Sequence, residues 1–255
     1  MTSLSPNQDR PSSVALITGA SSGIGAEVAQ TLTNKGYRVA LCARRRDRLE
    51  LLKEKLTAAG VEVLIQATDL RQESDILSLF ERVRQQWGGV DVLINNAGLG
   101  HKAPLMSGET EAWREMLDVN ILALCVCTRE AVKDMQRRGD RGHIIHISSL
   151  SGHRVPGASG VYAATKYAVR ALTEALRQEL RMADSQIRIS SISPGFTETE
   201  FAEKYHGDAS IAEEIYSRFP VLQSKDIANA VAYVLEQPEY VQVHDILLRS
   251  TFQST

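Results

Sequence analysis

Apolar, β-prone runs recur along the chain, and each is followed by a helical pattern. Val14-Ala15-Leu16-Ile17-Thr18 is the first run. A helical pattern over 26–35 follows it, with Gly36 placed as the residue just past the helix end. Tyr37-Arg38-Val39-Ala40-Leu41-Cys42-Ala43 predicts a second strand, then a charged helix over 46–59 closed by Gly60. Val61-Glu62-Val63-Leu64-Ile65-Gln66-Ala67 and Val90-Asp91-Val92-Leu93-Ile94 predict strands on either side of a helix over 74–87. A long helical stretch follows over 107–138, then a strand His143-Ile144-Ile145-His146-Ile147 and a helix over 160–182. Ile187-Arg188-Ile189-Ser190-Ser191-Ile192 predicts the sixth strand, a helix runs from after Lys225 to Glu236, and Ile246-Leu247-Leu248-Arg249 predicts a seventh, edge strand. Strands alternating with helices make βαβ units and a parallel sheet. The pattern therefore predicts an α/β protein: one Rossmann-like, doubly wound parallel sheet of about seven strands with helices on both faces. Residues 1–12 read as a disordered tail and 13–255 as one domain, with no repeat period and no linker.

Composition narrows this little. The 255 residues are 43% hydrophobic and 24% charged, ordinary for a globular chain. A net charge of -2 gives no support for a nucleic-acid partner. No run approaches the roughly 18 apolar residues of a membrane helix, and the N-terminus lacks the apolar stretch of a signal peptide. Three scattered cysteines, Cys42, Cys125 and Cys127, argue against a disulfide framework and fit a reducing cytoplasm. The six histidines form no metal-binding spacing, so no metal is expected, and no Gly-x-Ser-x-Gly elbow supports a hydrolase.

The candidate chemistry lies in Tyr162-Ala163-Ala164-Thr165-Lys166, near the start of the helix over 160–182. Positions i and i+4 share a helical face. A free tyrosine, with a pKa of about 10, is a poor acid–base group at neutral pH, and a nearby ammonium favours its phenolate. Ser149 lies thirteen residues upstream, past the end of the fifth strand, where its hydroxyl can share a substrate oxygen with the phenol. A surface tyrosine one turn from a solvated lysine is the plain alternative. After the first strand, Gly19-Ala20-Ser21-Ser22-Gly23-Ile24-Gly25 places glycines where backbone can approach a pyrophosphate at a helix N-terminus.

Thr18-Gly19-Ala20-Ser21-Ser22-Gly23-Ile24-Gly25, Asn95-Asn96-Ala97-Gly98, Asn120, Ser149, Tyr162 with Lys166, and Pro194-Gly195 occur in one order. Together they resemble the short-chain dehydrogenase/reductase family, in its compact single-domain branch, over about residues 13–250. Cys127-Thr128-Arg129-Glu130, Ser151-Gly152-His153-Arg154 and Arg177-Gln178-Glu179-Leu180 resemble a subgroup. It includes vertebrate dehydrogenase/reductase member eleven, insect farnesol dehydrogenase and bacterial clavulanate dehydrogenase. Members often end in Arg-Pro-Thr-x-Gln, where this chain has Arg249-Ser250-Thr251-Phe252-Gln253.

The resemblance implies hydride transfer between nicotinamide and an alcohol or carbonyl carbon, with Ser149, Tyr162, Lys166 and Asn120 as the catalytic set. It implies cofactor contacts from Gly19, Ser21, Ser22, Gly23, Ile24 and Gly25, and from Asp69 and Leu70 at the adenine. Asn96, Ala97 and Gly98 would flank the adenosine side, and Lys166 the nicotinamide ribose. Pro194, Gly195 and Thr199 would hold the nicotinamide end, with Thr197 competing for the role of Thr199. Ser148 rivals Ser149, but the spacing to Tyr162 favours Ser149. The segment 196–220 would be the substrate lid; it carries Phe196, Phe201, Tyr205, Tyr216 and Phe219 and so suits a hydrophobic ketone or aldehyde, a steroid or terpenoid included. Ser149, Ser151, His153, Tyr162 and Tyr205 are the expected substrate contacts, with Val155 nearby. A catalytically silent NADP-binding sensor or scaffold is the alternative, and a sugar-nucleotide epimerase on the same fold would need a larger C-terminal region. The helices over 107–138 and 158–182 are expected to pair subunits into a homotetramer or homodimer.

The expected cofactor is NADP(H). A carboxylate closing the second strand would bind the adenosine ribose and repel a 2′-phosphate. Counting 24 on from Gly19 reaches Ala43 instead, followed by Arg44, Arg45 and Arg46. Arginine meets a phosphate with charge-assisted bonds. Arg44 is expected to be the main contact and Arg45 its helper, while Ser22 adds no cation.

Overall fold

A computed structural model describes residues 13–58, 60–157 and 159–254; the expected tail over 1–12 lies outside them. Seven parallel strands form the sheet in the order β3-β2-β1-β4-β5-β6-β9. They are β1 (Val14–Thr18), β2 (Arg38–Ala43), β3 (Val63–Ala67), β4 (Val92–Asn95), β5 (His143–Ile147), β6 (Arg188–Pro194) and β9 (Asp245–Leu248). All five residues of β1 are buried, as a strand covered on both faces requires. Its alternate side chains serve two cores. Val14 and Leu16 pack with α3 (Glu73–Trp87) and α5 (Ala123–Arg137) on one face, while Ala15 and Ile17 pack with α1 (Gly23–Asn34), α2 (Arg46–Thr57) and α9 (Ser224–Glu236) on the other.

The chain winds outward from β1 to β2 and β3, then returns to β4 on the other side of β1. This reversal opens a crevice at the carboxyl ends of β1 and β4, where doubly wound sheets take ligands. The glycine turn after Thr18 and the Asn-Asn-Ala-Gly turn from Asn95 both enter it.

One expected element differs. The helix over 107–138 is not continuous. It consists of α4 (Thr110–Leu117), a π-helical segment Asp118–Leu122 and then α5. Asn120, a poor helix former, sits inside the wide turn. The segment 196–220, the expected lid, is largely helical. It holds α7 (Phe201–His206) and α8 (Ala209–Ser217), and its flanks β7 (Thr197–Glu198) and β8 (Leu222–Gln223) pair as a small parallel sheet. The helix α6 (Gly160–Met182) lies where the pattern placed it.

The buried strand β5 predicts an acid sensitivity. Burial pulls His143 and His146 down to about 3, helped by Arg188 and Lys166 respectively. Both imidazoles are neutral in the folded chain, so the unfolded chain takes up more protons between about pH 6.5 and pH 3. The stability they permit is full above that window and falls by about 1.4 kcal/mol per pH unit per histidine as pH drops through it. The urea midpoint should therefore fall between pH 7 and pH 5, and equal midpoints would contradict this.

Candidate active site

The crevice is built by Thr18, Gly19 and Asn96. Thr18 Oγ1 accepts the N–H groups of Asn96 and Ala97 at 3.1 and 2.9 Å. The Asn96 amide donates to the carbonyls of Thr18 and Gly19 at 2.9 and 3.2 Å. Gly19 and Gly23 have φ of 66° and 56°, in the left-handed region that glycine tolerates. A methyl group on Gly25 would stand 2.6 Å from the Gly19 carbonyl oxygen, so only glycine lets α1 begin this close to the turn. Ser22 begins α1 without a side-chain cap, and the first turn carries no acidic residue. The positive helix end, with its backbone N–H groups, suits an anion. Ile24 packs partly buried against the core behind it.

Arg45 reaches across this turn. Its guanidinium donates to Ser21 Oγ at 3.2 and 2.9 Å, to Ser22 Oγ at 2.8 Å and to Glu200 Oε2 at 2.8 Å. Arg44 is exposed and lies 3.5 Å from Glu115 Oε1. Arg45, the expected helper, thus stands at the glycine turn, and Arg44, the expected main contact, lies beside Glu115. Ala43 is buried at the end of β2 and brings no carboxylate. Arg71 grips both Asp69 oxygens, at distances down to 2.6 Å, and holds that carboxyl below its usual range. Leu70 packs partly buried against the core.

The two rival serines separate clearly. Ser148 is buried, and its hydroxyl donates to the Lys166 carbonyl at 3.3 Å. Ser149 begins a short 3-10 turn (Leu150–Gly152), its Oγ accepting the Ser151 N–H at 3.0 Å, and lies in hydrogen-bond contact with Tyr162. Burial pushes the Tyr162 phenol up to about 12, and Ser149 offsets part of that rise. Lys166 Nζ stands 5.9 Å from the Tyr162 ring centre and donates to the Ile147 carbonyl at 3.1 Å. Burial pulls it down to about 8. Asn120 Oδ1 accepts the Leu99 N–H at 2.9 Å, while its amide donates to the Leu99 carbonyl at 2.8 Å and Thr165 Oγ1 at 3.0 Å. Gly98, expected on the adenosine side, faces this group. A methyl there would lie 3.3 Å from Lys166 Nζ and 3.4 Å from Asn120 Oδ1, so glycine keeps the approach to the ammonium open.

The segment after β6 closes over Tyr162. The Phe201 and Tyr205 rings lie 5.3 and 6.2 Å from the Tyr162 ring centre, and Leu99, Ala103, Trp113 and Met116 extend the apolar surround. Gly23 meets the same segment, since a methyl on it would come within 3.0 Å of Thr199 Cγ2. Thr199 Oγ1 accepts the Phe201 N–H at 3.2 Å, and buried Thr197 donates to the Gly195 carbonyl at 3.1 Å. Gln253 Oε1 accepts the N–H of Phe196 at 3.0 Å and sits against Gly195 beyond Pro194, tying the C-terminus to the site. Ser250 in place of proline still builds the turn, its hydroxyl accepting the Phe252 N–H at 3.2 Å. His153 Nε2 lies 3.1 Å from Asp245 Oδ2 on the edge strand.

Sequence reasoning missed Thr165, Gly100 and Glu200. Thr165 is one residue before Lys166 and holds Asn120. A methyl on Gly100 would meet Tyr205 at 2.7 Å and Phe201 at 2.9 Å, so this second glycine after the Asn-Asn-Ala-Gly turn is what admits the aromatic cover. Glu200 has one local partner, Lys204, but its contacts to Ser22, Arg45 and Arg48 come from more than 150 residues upstream and left no local signal.

A glycine turn at a topological switch point thus lies beside a buried tyrosine and lysine and a half-buried serine. The description "short chain dehydrogenase" matches residues 13–209, and the chain belongs to that family. The bovine (Bos taurus) "Dehydrogenase/reductase SDR family member 11" is 50% identical over 248 residues, covering 95% of this chain and 97% of the relative. Farnesol dehydrogenase of Aedes aegypti is 41% identical over 240 residues, 92% and 95% of the two chains. Both belong to the subgroup the sequence resembles. The closed form of a serine dehydrogenase complexed with NADP+ superposes with a TM-score of 0.89 at 31% identity, over 95% of this chain and 96% of that one.

Proposed function

We propose that the chain is an NADP(H)-dependent oxidoreductase acting on a hydrophobic ketone or aldehyde and the matching alcohol. The observation that carries this reading is the convergence of Ser149, Tyr162, Lys166 and Asn120 beside the glycine turn. The residues fit a dinucleotide: a helix whose own first turn has no acid, glycines whose Cβ atoms would block the approach, and a buried ammonium facing Gly98. When bound, nicotinamide supplies or accepts the hydride. Gly19, Ser21, Ser22 and Gly23 would hold the phosphates, Asp69 and Leu70 the adenine, and Lys166, Pro194, Gly195 and Thr199 the nicotinamide end.

In reduction, Tyr162 gives its proton to the substrate oxygen, and Ser149 stabilises the charge developing there. Asn120 keeps the wide turn open beside Lys166 and positions α6 through Thr165. The apolar wall of Leu99, Trp113, Phe201 and Tyr205 excludes water and favours an apolar substrate; steroid and terpenoid carbonyls fall within that class. The segment 196–220 acts as its lid. The NADP+ carried by the serine dehydrogenase neighbour supports the cofactor assignment. A silent NADP-binding role would have no use for the four clustered residues. The test is a panel of ketones, aldehydes and alcohols followed at the nicotinamide absorbance. Turnover of at least one apolar carbonyl supports the reading, and none with any member rejects it.

Two further expectations follow from this reading. Lys166, pulled down to about 8, is an ammonium at neutral pH and loses its charge as pH rises through that value. Carbonyl reduction should therefore hold level up to about pH 7.5 and fall above pH 8, and Lys166→Met should lose that break in the pH profile. A break that persists in the variant would assign it elsewhere. We also infer a homo-oligomer, a tetramer or dimer, in the reducing cytoplasm. Leu117 and Leu122 flank the π-helical turn with 47% and 57% of their surface exposed, apolar area that a second copy would cover. Light scattering showing only monomer at micromolar concentration would reject it.

A further inference from the structure

Glu200 sits immediately before α7 and gathers two arginines from the start of α2 and the local Lys204. Its Oε2 accepts from Arg45 at 2.8 Å, from Lys204 at 2.6 Å and from Ser22 Oγ at 3.3 Å, and Oε1 accepts from Arg48. Arg45 is at the same time the cation seated on Ser21 and Ser22 of the glycine turn. We infer that the Glu200 carboxylate is an internal competitor for the cofactor's 2′-phosphate, which takes Arg45 from it and thereby loosens the aromatic cover over Tyr162. The inference rests on the NADP(H) reading above and names the residue that sets how strongly the phosphate is preferred.

A phosphate that shared the Arg45 guanidinium with Glu200 would bring two anions to one cation, and like charges repel. A phosphate on Arg45 therefore finds Glu200 already there, and binding must release it or bear its field. Burial alone would raise the Glu200 carboxyl, but Lys204, Arg48 and Arg45 outweigh it and keep it ionised well below its usual range. The competitor is thus charged at every working pH. Release has a mechanical consequence. Glu200 precedes Phe201 directly, and Phe201 and Tyr205 on α7 are the rings packed on Tyr162. With Arg45 withdrawn, α7 loses its tie to the glycine turn and keeps the Arg48 contact to Glu200, the Lys102 N–H on the Tyr205 carbonyl at 3.1 Å, Thr199 and the ring packing. Cofactor phosphate and substrate access would then be coupled through one side chain.

Glu200→Gln keeps the size and removes the charge. Binding of NADPH, NADH and 2′,5′-ADP to wild type and variant is measured by fluorescence or calorimetric titration, without substrate. The variant should bind NADPH and 2′,5′-ADP about tenfold tighter, a gain of about 1.4 kcal/mol, with NADH changed less than about twofold. In wild type, 2′,5′-ADP should speed hydrogen exchange of α7 amides, and in Glu200→Gln those amides should exchange fast without it. Equal shifts for NADPH and NADH, no shift, or selectively weaker NADPH binding would overturn the competitor role. Unchanged α7 exchange in wild type would overturn the coupling. A wild type that binds NADH more tightly than NADPH would instead defeat the NADP(H) reading itself.

Discussion

Tyr162→Phe is expected to lower carbonyl turnover by at least ~100-fold, the lower end of what a positioned acid–base group contributes. The ring stays, with its contacts to Phe201 and Tyr205, so the fold and the lid should persist. What goes is the hydroxyl that shares Ser149 and carries the transferable proton. Since burial pushes that phenol up to about 12, it holds its proton at neutral pH and parts with it only as negative charge develops on the substrate oxygen. The variant should still bind NADPH with near wild-type affinity, so the loss should fall in kcat. Rates near wild type with a slowly reacting ketone would remove Tyr162 from the chemistry.

The second large effect is expected at Arg45. Arg45→Ala should weaken NADPH selectively, by roughly 10- to 150-fold, the range that a charged hydrogen bond of about 1.5–3 kcal/mol spans. NADH should change little. Arg44→Ala should cost less, because Arg44 is exposed and turned toward Glu115, while Arg45 lies on Ser21 and Ser22. Comparing kcat/KM for both cofactors in the two variants separates them. A larger selective loss in Arg44→Ala would restore the order read from the sequence.

Much of this was legible before the structure. The strand runs and glycine turn predicted the sheet because a strand buried on both faces has to be continuously apolar. Tyr162 with Lys166 was legible because four residues on a helix is a local distance. Helix continuity through Asn120 was not. The run Ile121-Leu122-Ala123-Leu124-Cys125-Val126 is helical by any pattern, and the π-helical turn depends on Leu99 and Thr165 arriving from elsewhere. The placement of Arg44 and Arg45 was hidden for the same reason, since their partners Glu115 and Glu200 are far away in sequence. His153 likewise follows Asp245, its partner on the edge strand.

The most direct test is to follow NADPH and NADH oxidation by the purified protein with a series of apolar ketones at pH 7. The account predicts turnover of at least one ketone, with kcat/KM for NADPH at least ~10-fold above NADH, as one charged phosphate contact supplies. Tight NADPH binding without turnover of any carbonyl or alcohol, or a preference for NADH, would contradict it.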